Sequence, residues 1–258
     1  MAFIITFLMS IYAGYASVLM SVHLDNVSCV SYNQDTAVIA WRIMISSVVP
    51  WIVLIMIIVC FIAYGYGQKR REDLQRFARQ TGLAFSSGSD IDADEELNDF
   101  LLFSDYSVKK LSNVIRGEMD GVLVMMFDYR STTGVGQVAS TRSQSVAIME
   151  LHRLKPPSFE MYPQDIFRRV FGPLSKKKGI EFPHRSGFSE AYVLISEDEN
   201  AVRKVFTDTV LSYFENHKGL TVEVKGGRLL YYRNGRMIRP EEAGSFLQQG
   251  LDIIRLFQ

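Results

Sequence analysis

A chain of 258 residues in which 28 Lys and Arg balance 28 Asp and Glu has no net charge with which to hold a polyanion. It also lacks a basic stripe with interleaved aromatics, so a nucleic-acid-binding role is excluded. The neutrality hides an uneven distribution: residues 1–68 hold only Asp25, Asp35 and Arg42, and the remainder is charged like an ordinary globular domain long enough to bury one core.

Residues 1–22 (MAFIITFLMSIYAGYASVLMSV) are uncharged and long enough to cross a bilayer. A cleaved signal peptide wants a basic leading region, which is missing, although Gly14-Tyr15-Ala16 offers a small-residue cleavage site; a retained first helix is the favoured reading. Residues 23–42 form a short external loop. Its Cys29 is a thiol that would link two copies, which leaves a homo-oligomer open, and Asn26-Val27-Ser28 is a glycosylation match too short to carry weight.

Residues 43–68 (IMISSVVPWIVLIMIIVCFIAYGYGQ) are the central feature: 26 residues with no charged side chain, apolar all round, against the ~20 that cross a ~30 Å hydrocarbon core. They predict a second span, with Pro50 near its outer end and Cys60 as a small apolar residue inside it. Lys69, Arg70, Arg71, Arg76 and Arg79 crowd the far end, while Arg42 is the lone cation of the preceding segment. The positive-inside rule therefore places the large domain in the cytoplasm. Trp41 and Trp51 mark the outer end and Tyr64 and Tyr66 the inner; the Trp51 to Tyr66 and Trp41 to Tyr66 spacings, ~22 Å and ~37 Å at helical rise, bracket the bilayer. The chain thus divides into a membrane region, 1–68, with spans at about 1–22 and 43–68, and a cytoplasmic domain, 69–258.

In that domain, 72–83 reads as an amphipathic helix beside the membrane, with Leu74, Phe77, Ala78 and Thr81 on one face and Gly82 as its stop. Packing on its own domain is favoured over lipid binding, because the polar face carries acids too. In the acidic stretch 86–99, Asp90, Asp92 and Asp94 have the spacing of the first three calcium ligands of an EF-hand. Glu95 stands where the turn needs glycine and Leu101 where a closing glutamate is needed, so a solvated loop is expected and no metal site is assigned.

Strand periodicity follows. Segments 113–118 and 122–130 flank the hairpin signal Asp120-Gly121, and 144–151 predicts a third strand. Between them, Gly134-Val135-Gly136-Gln137-Val138-Ala139 matches G-x-G-x-x-A, but it leads into a strand and not a helix, so it is read as a connection and no cofactor is assigned. Pro156, Pro157, Pro163, Gly172, Pro173, Lys176-Lys177-Lys178, Gly179 and Pro183 punctuate what reads as a long irregular passage, its lysines solvated. Segment 189–195 predicts a strand. Ser196 with Glu199 reads as a capping box for a helix over 197–218, whose stripe is Val202, Val205, Phe206, Val210, Tyr213 and Phe214, stopped by Gly219. Segments 220–225 and 228–233 form a hairpin about Gly226-Gly227, and Pro240 opens a last helix with Ala243, Phe246, Leu247, Leu251, Ile254 and Phe257 inward.

NVIRGEMDGVLVMMFDYR from Asn113, FPHRSGFSEAYVLISEDENAVRKVF from Phe182 and VEVKGGRLLYYRNGRMIRPEE from Val222 together resemble a family of uncharacterised membrane-anchored bacterial proteins, the resemblance running from about Glu72 to the C-terminus. It implies one coherent bacterial domain, and since the family has no assigned reaction, ligand or site it transfers no functional residue.

For chemistry, His152, His184 and His217 are scattered, with no H-x-x-x-H, G-x-S-x-G or P-loop; His184 beside Arg185, with Glu181 and Asp198, is the best polar cluster. No cysteine lies in the cytoplasmic domain, which excludes cysteine nucleophiles and cysteine-ligated zinc there. No catalytic, cofactor-binding or metal residue is assigned. The expected fold is α+β: an antiparallel sheet of five to seven strands with the 197–218 and 240–257 helices packed on it, the alternative being a pleckstrin-like barrel closed by the last helix. The expected function is a membrane-anchored, non-catalytic interaction or sensing module whose partners are the lipid bilayer and another protein; the alternative is a membrane-tethered hydrolase with a site formed only in the fold.

Overall fold

In the computed structural model, residues 34–88, 97, 99–104, 108–133, 140–150, 156–171 and 179–257 are described. The chain divides into two compact units, Met1–Ala63 and Tyr64–Gln258. The predicted first span, 1–22, lies outside the described residues.

One helix, α1 (Gln34–Thr81), carries the apolar run and continues through the basic cluster, with Pro50 inside it. The expected break before a separate helix over 72–83 does not occur, because no residue between 68 and 81 disfavours helix. The stop is Gly82, at φ +74°, where the Leu83 amide reaches back to the Ala78 carbonyl at 2.8 Å. From Val48 onward this helix is long and apolar enough to cross a membrane. Its large apolar side chains from Val48 to Tyr66 are exposed, Phe61 at 78%. Beyond Arg70 the surface changes: Leu74 and Ala78 are buried in the second unit's core and Phe77 packs against it.

That core is built on one sheet of eight strands, one more than the upper expectation. The strands are β1 (Ala84–Ser86), β2 (Val108–Met119), β3 (Val122–Thr133), β4 (Ser140–Glu150), β5 (Phe159–Pro163), β6 (Tyr192–Ile195), β7 (Thr221–Lys225) and β8 (Arg228–Tyr232). They lie in the order β1-β2-β3-β4-β8-β7-β5-β6, every pairing antiparallel. With β1 and β6 at opposite edges the sheet is open, which removes the pleckstrin-like barrel. Both hairpins turn through two successive residues at positive φ, Asp120 and Gly121 at 52° and 77° and Gly226 and Gly227 at 57° and 76°, which glycine adopts freely and aspartate tolerates.

Alternation puts two cores on the two faces. Val124, Met126, Ala147, Met149, Val222, Val224 and Tyr231 face one side, under α1, α5 (Glu199–Val205), α6 (Asp208–Asn216) and α7 (Ala243–Arg255). Leu111, Phe127, Tyr129, Val146, Ile148, Leu230 and Tyr232 face the other, under Leu97, Phe100 and Phe103 of the segment that forms α2 (Leu101–Ser104). The remaining helices are α3 (Gln164–Phe171) and α4 (Ser186–Ala191).

Four further expectations are corrected. The single helix over 197–218 is two, α5 and α6, because Phe206 (φ −83°, ψ 67°) leaves helical geometry to reach the core and Thr207 restarts the chain. The cap of α5 is Asp198, whose carboxylate accepts from the Ala201 amide; Ser196 instead bonds the Asp198 amide and the Ser158 carbonyl. The passage over 156–183 holds β5 and α3: β5 lies between β7 and β6, its Pro163 the last residue, where the missing amide costs the ladder least. Of the strand expected over 189–195 only Tyr192–Ile195 is extended. Pro240 does open the last helix, through a 3₁₀ turn, Pro240–Glu242.

Candidate functional site: a helix clamp and a buried carboxylate

The densest polar network in the second unit begins at a bulge. Between Ser112 and Ile115 the β2 to β3 register shifts, and Asn113 takes a left-handed conformation, φ 53°, which asparagine tolerates better than most residues. Its amide then donates to Asp128 Oδ2 at 2.8 Å, while on β4 Ser145, which pairs with Asp128 in register, donates to Oδ1 at 2.9 Å. Arg70 of α1 completes the site as a fork: Nε to Asp128 Oδ2 at 2.8 Å and Nη2 to Oδ1 at 2.7 Å. Its Nη1 donates to the Ile238 carbonyl at 2.6 Å, and the Ile238 amide donates to Ser145 Oγ at 3.1 Å.

The carboxylate therefore accepts four hydrogen bonds and the guanidinium reaches three elements at once. Lysine offers no equivalent, since a point charge cannot serve both oxygens in plane and the carbonyl beside them. Side-chain exposures of 18% for Arg70 and 7% for Asp128 make this a largely desolvated pair. Such a pair is indifferent to keep or replace whole, and costly to halve. Chemically the site is a clamp: it ties the stretch of α1 after the apolar run into the sheet.

A second polar feature lies on the opposite face. Glu223 on β7 is fully buried; Oε2 accepts from the Leu101 amide at 2.8 Å, and Oε1 has no hydrogen-bond partner among the described residues. Its cross-strand neighbour on β5 is Glu160, which receives the Tyr162 hydroxyl at 3.3 Å and the Lys225 ammonium at 3.0 Å. Burial pushes the Glu223 carboxyl up to about 7; the Leu101 amide opposes this, Glu160 adds to it and Lys225 offsets part of it. The Tyr162 phenol is held far above its ordinary value, by burial first and Glu223 second. The same segment is pinned at its edge: Lys225 donates to the Asp99 carbonyl at 3.1 Å, the Arg228 guanidinium lies over the Phe100 ring at 5.7 Å, and the Tyr129 hydroxyl donates to the Leu102 carbonyl at 3.2 Å. Glu223 thus holds the short segment over the sheet from a buried position.

The polar residues about His184 in sequence are drawn to separate partners. His184 is 62% exposed, with Nε2 3.6 Å from Asp208 Oδ1. Arg185 reaches Asp208 and Glu215, at 3.1 and 3.4 Å, while Asp198 is used as a helix cap and Glu181 offers its carbonyl to Arg203. His217 stacks on Tyr213, ring centroids 4.1 Å apart, at the end of α6. Cys60 is exposed on α1. Asp90, Asp92, Asp94, Glu95, Gly134 to Ala139, His152, Lys176 to Lys178 and Cys29 lie outside the described residues. Among the described residues no group of three His, Cys, Asp or Glu is placed to hold a metal ion.

No family model matches the chain, and no curated protein matches it. Among solved structures, the crystal structure of the mycobacterial trehalose monomycolate transport factor A, TtfA, aligns at a TM-score of 0.44 and 12% identity, over 73% of this chain and 90% of that one. A likeness this remote leaves the fold and role of this chain to its own residues.

Proposed function

We propose that the protein is a membrane-anchored, non-catalytic interaction or sensing module, of the bacterial family its motifs resemble, with residues 69–258 at the cytoplasmic face of the inner membrane. The observation that carries this reading is the change of surface along α1. Its apolar side chains are exposed from Val48 to Tyr66 and buried at Leu74 and Ala78. A helix of a water-soluble core has no reason to leave so many large apolar side chains uncovered, and a bilayer covers them. The orientation is supported by Lys69, Arg71, Arg76 and Arg79, which remain exposed; Arg70, counted with them by sequence, is engaged by Asp128. A retained first span over 1–22 is part of the proposal.

The hydrolase alternative would have to use Glu223, a carboxyl that burial pushes up, with Glu160 as its cross-strand neighbour. Glu223 is enclosed beneath α2, which favours the non-catalytic reading. The anchoring is tested by washing membranes that contain the full chain with alkaline carbonate. A spanning protein stays with the bilayer, whereas release into the wash would remove the anchor and the proposal with it.

A further inference from the structure

The clamp fixes a direction within the second unit. From Arg70 to Leu83 the contacts of the chain move from the Asp128–Ser145 row of the sheet to Gly117, where an added Cβ would lie 2.6 Å from Leu83 Cδ2. The Gly117 row is Val124 and Met149. As α1 leaves the apolar run it therefore travels toward the Asp120-Gly121 turn, and the other ends of β2, β3 and β4 point back toward Tyr64 and Tyr66. Two residues past Asp128, about 7 Å along the strand, stands the row Lys110–Arg130–Ser143; four residues past, at about 13 Å, the row with Thr132 and Thr141. Tyr64 is six residues before Arg70, about 9 Å along the helix. The tip of the three-stranded ribbon thus lies at the end of the second unit where α1 enters it.

Its chemistry is one-sided. Lys110, Arg130 and Arg142 are exposed, and residues 108–112, 129–133 and 140–144 include no Asp or Glu. Arg130 Nε donates to Ser143 Oγ at 3.1 Å, and the Thr132 and Thr141 hydroxyls share a hydrogen bond at 3.0 Å, so cations and hydroxyls stand together on the face that carries α1, with Arg142 on the other.

We propose that this end of the ribbon, through Lys110, Arg130 and Arg142, docks on the anionic phospholipid headgroups of the bilayer that α1 crosses. The proposal rests on the membrane anchor proposed above. Cations beside the end of a span meet the negative potential of an anionic leaflet, and hydroxyls add donors for phosphate oxygens.

The test uses the full chain with Cys29→Ser, Cys60→Ser and Ser140→Cys, a nitroxide at position 140, in nanodiscs of phosphatidylcholine or of an equal mixture with phosphatidylglycerol. Relaxation of the nitroxide by a neutral nickel chelate reports its exposure to water. We expect about a threefold lower accessibility in the anionic nanodiscs, with the difference abolished in K110Q/R130Q/R142Q although its circular-dichroism melt is unchanged. Equal accessibility in both lipids, with the chain retained in the discs, would overturn the docking and leave the anchor intact. Failure of the chain to enter nanodiscs would overturn both. An equal drop on adding inorganic phosphate to neutral nanodiscs would show a general anion site and overturn the assignment to headgroups.

Discussion

Replacing Arg70 by alanine leaves Asp128 in the sheet with Asn113 and Ser145 as donors and no cation. Halving a buried ion pair costs about 3–5 kcal/mol. Two hydrogen bonds to the carboxylate survive and Arg70 keeps some solvent contact, so the lower end applies, about 3 kcal/mol. In a unit of this size that is a fall in Tm of roughly 6–12 °C. Both tryptophans, Trp41 and Trp51, precede the second unit, so far-UV circular dichroism of residues 64–258 under urea is the suitable probe. Arg70→Lys should lose about half as much, because charge remains and the fork does not. Arg70→Met combined with Asp128→Leu should recover most of the loss, since an ion pair replaced whole by apolar groups is often neutral. A loss within ~0.5 kcal/mol for Arg70→Ala would be that of a solvated surface pair, and would refute the clamp.

A fragment starting at Glu72 omits Arg70, and should be less stable than one starting at Tyr64 by about the same 3 kcal/mol; equal midpoints would contradict the role given to that residue. Phe206 is 2% exposed with the Phe159 ring 5.0 Å away and Phe257 at 5.9 Å, so Phe206→Ala should cost ~3–5 kcal/mol by urea unfolding, nearer the lower value because a side chain close to the C-terminus can fill part of the cavity. Glu223 titrates near 7 when folded against an ordinary 4.5, so the folded state binds the extra proton between those values. Its contribution is fully present below 4.5 and lost as pH rises through about 7, on the order of 3 kcal/mol in all. Glu223→Gln should flatten that slope and raise stability at pH 8; an unchanged pH profile would show that Glu223 does not set it.

The elements legible in sequence were those whose signal is local. Two-residue turns at Asp120-Gly121 and Gly226-Gly227, the stop at Gly82 and the start at Pro240 each follow from one residue's backbone preference. Strand β5 was not legible, because Pro156, Pro157 and Pro163 read as loop while its pairing with β6 and β7 is made far along the chain. The break at Phe206 was hidden for a similar reason: the apolar stripe runs on through it, and only the aromatic cluster beneath decides where the helix yields. Arg70 was visible as a cation beside a span, but its partner lies 58 residues away, so nothing in the basic cluster distinguishes it from Lys69 or Arg71. Glu223 left no trace, since in Thr221–Lys225 it falls with Thr221 and Lys225 on the polar side of an ordinary strand alternation, and its desolvation comes from α2 packing across it.

The proposed topology puts the large domain on the cytoplasmic side of a membrane crossed by α1. A reporter active only in the cytoplasm, fused after Gln258 in one protein and inserted near Gln34 in another, tests it most directly. Activity from the first fusion and none from the second is the expected pattern; the reverse would contradict the orientation, and with it the meaning given to Lys69, Arg71, Arg76 and Arg79.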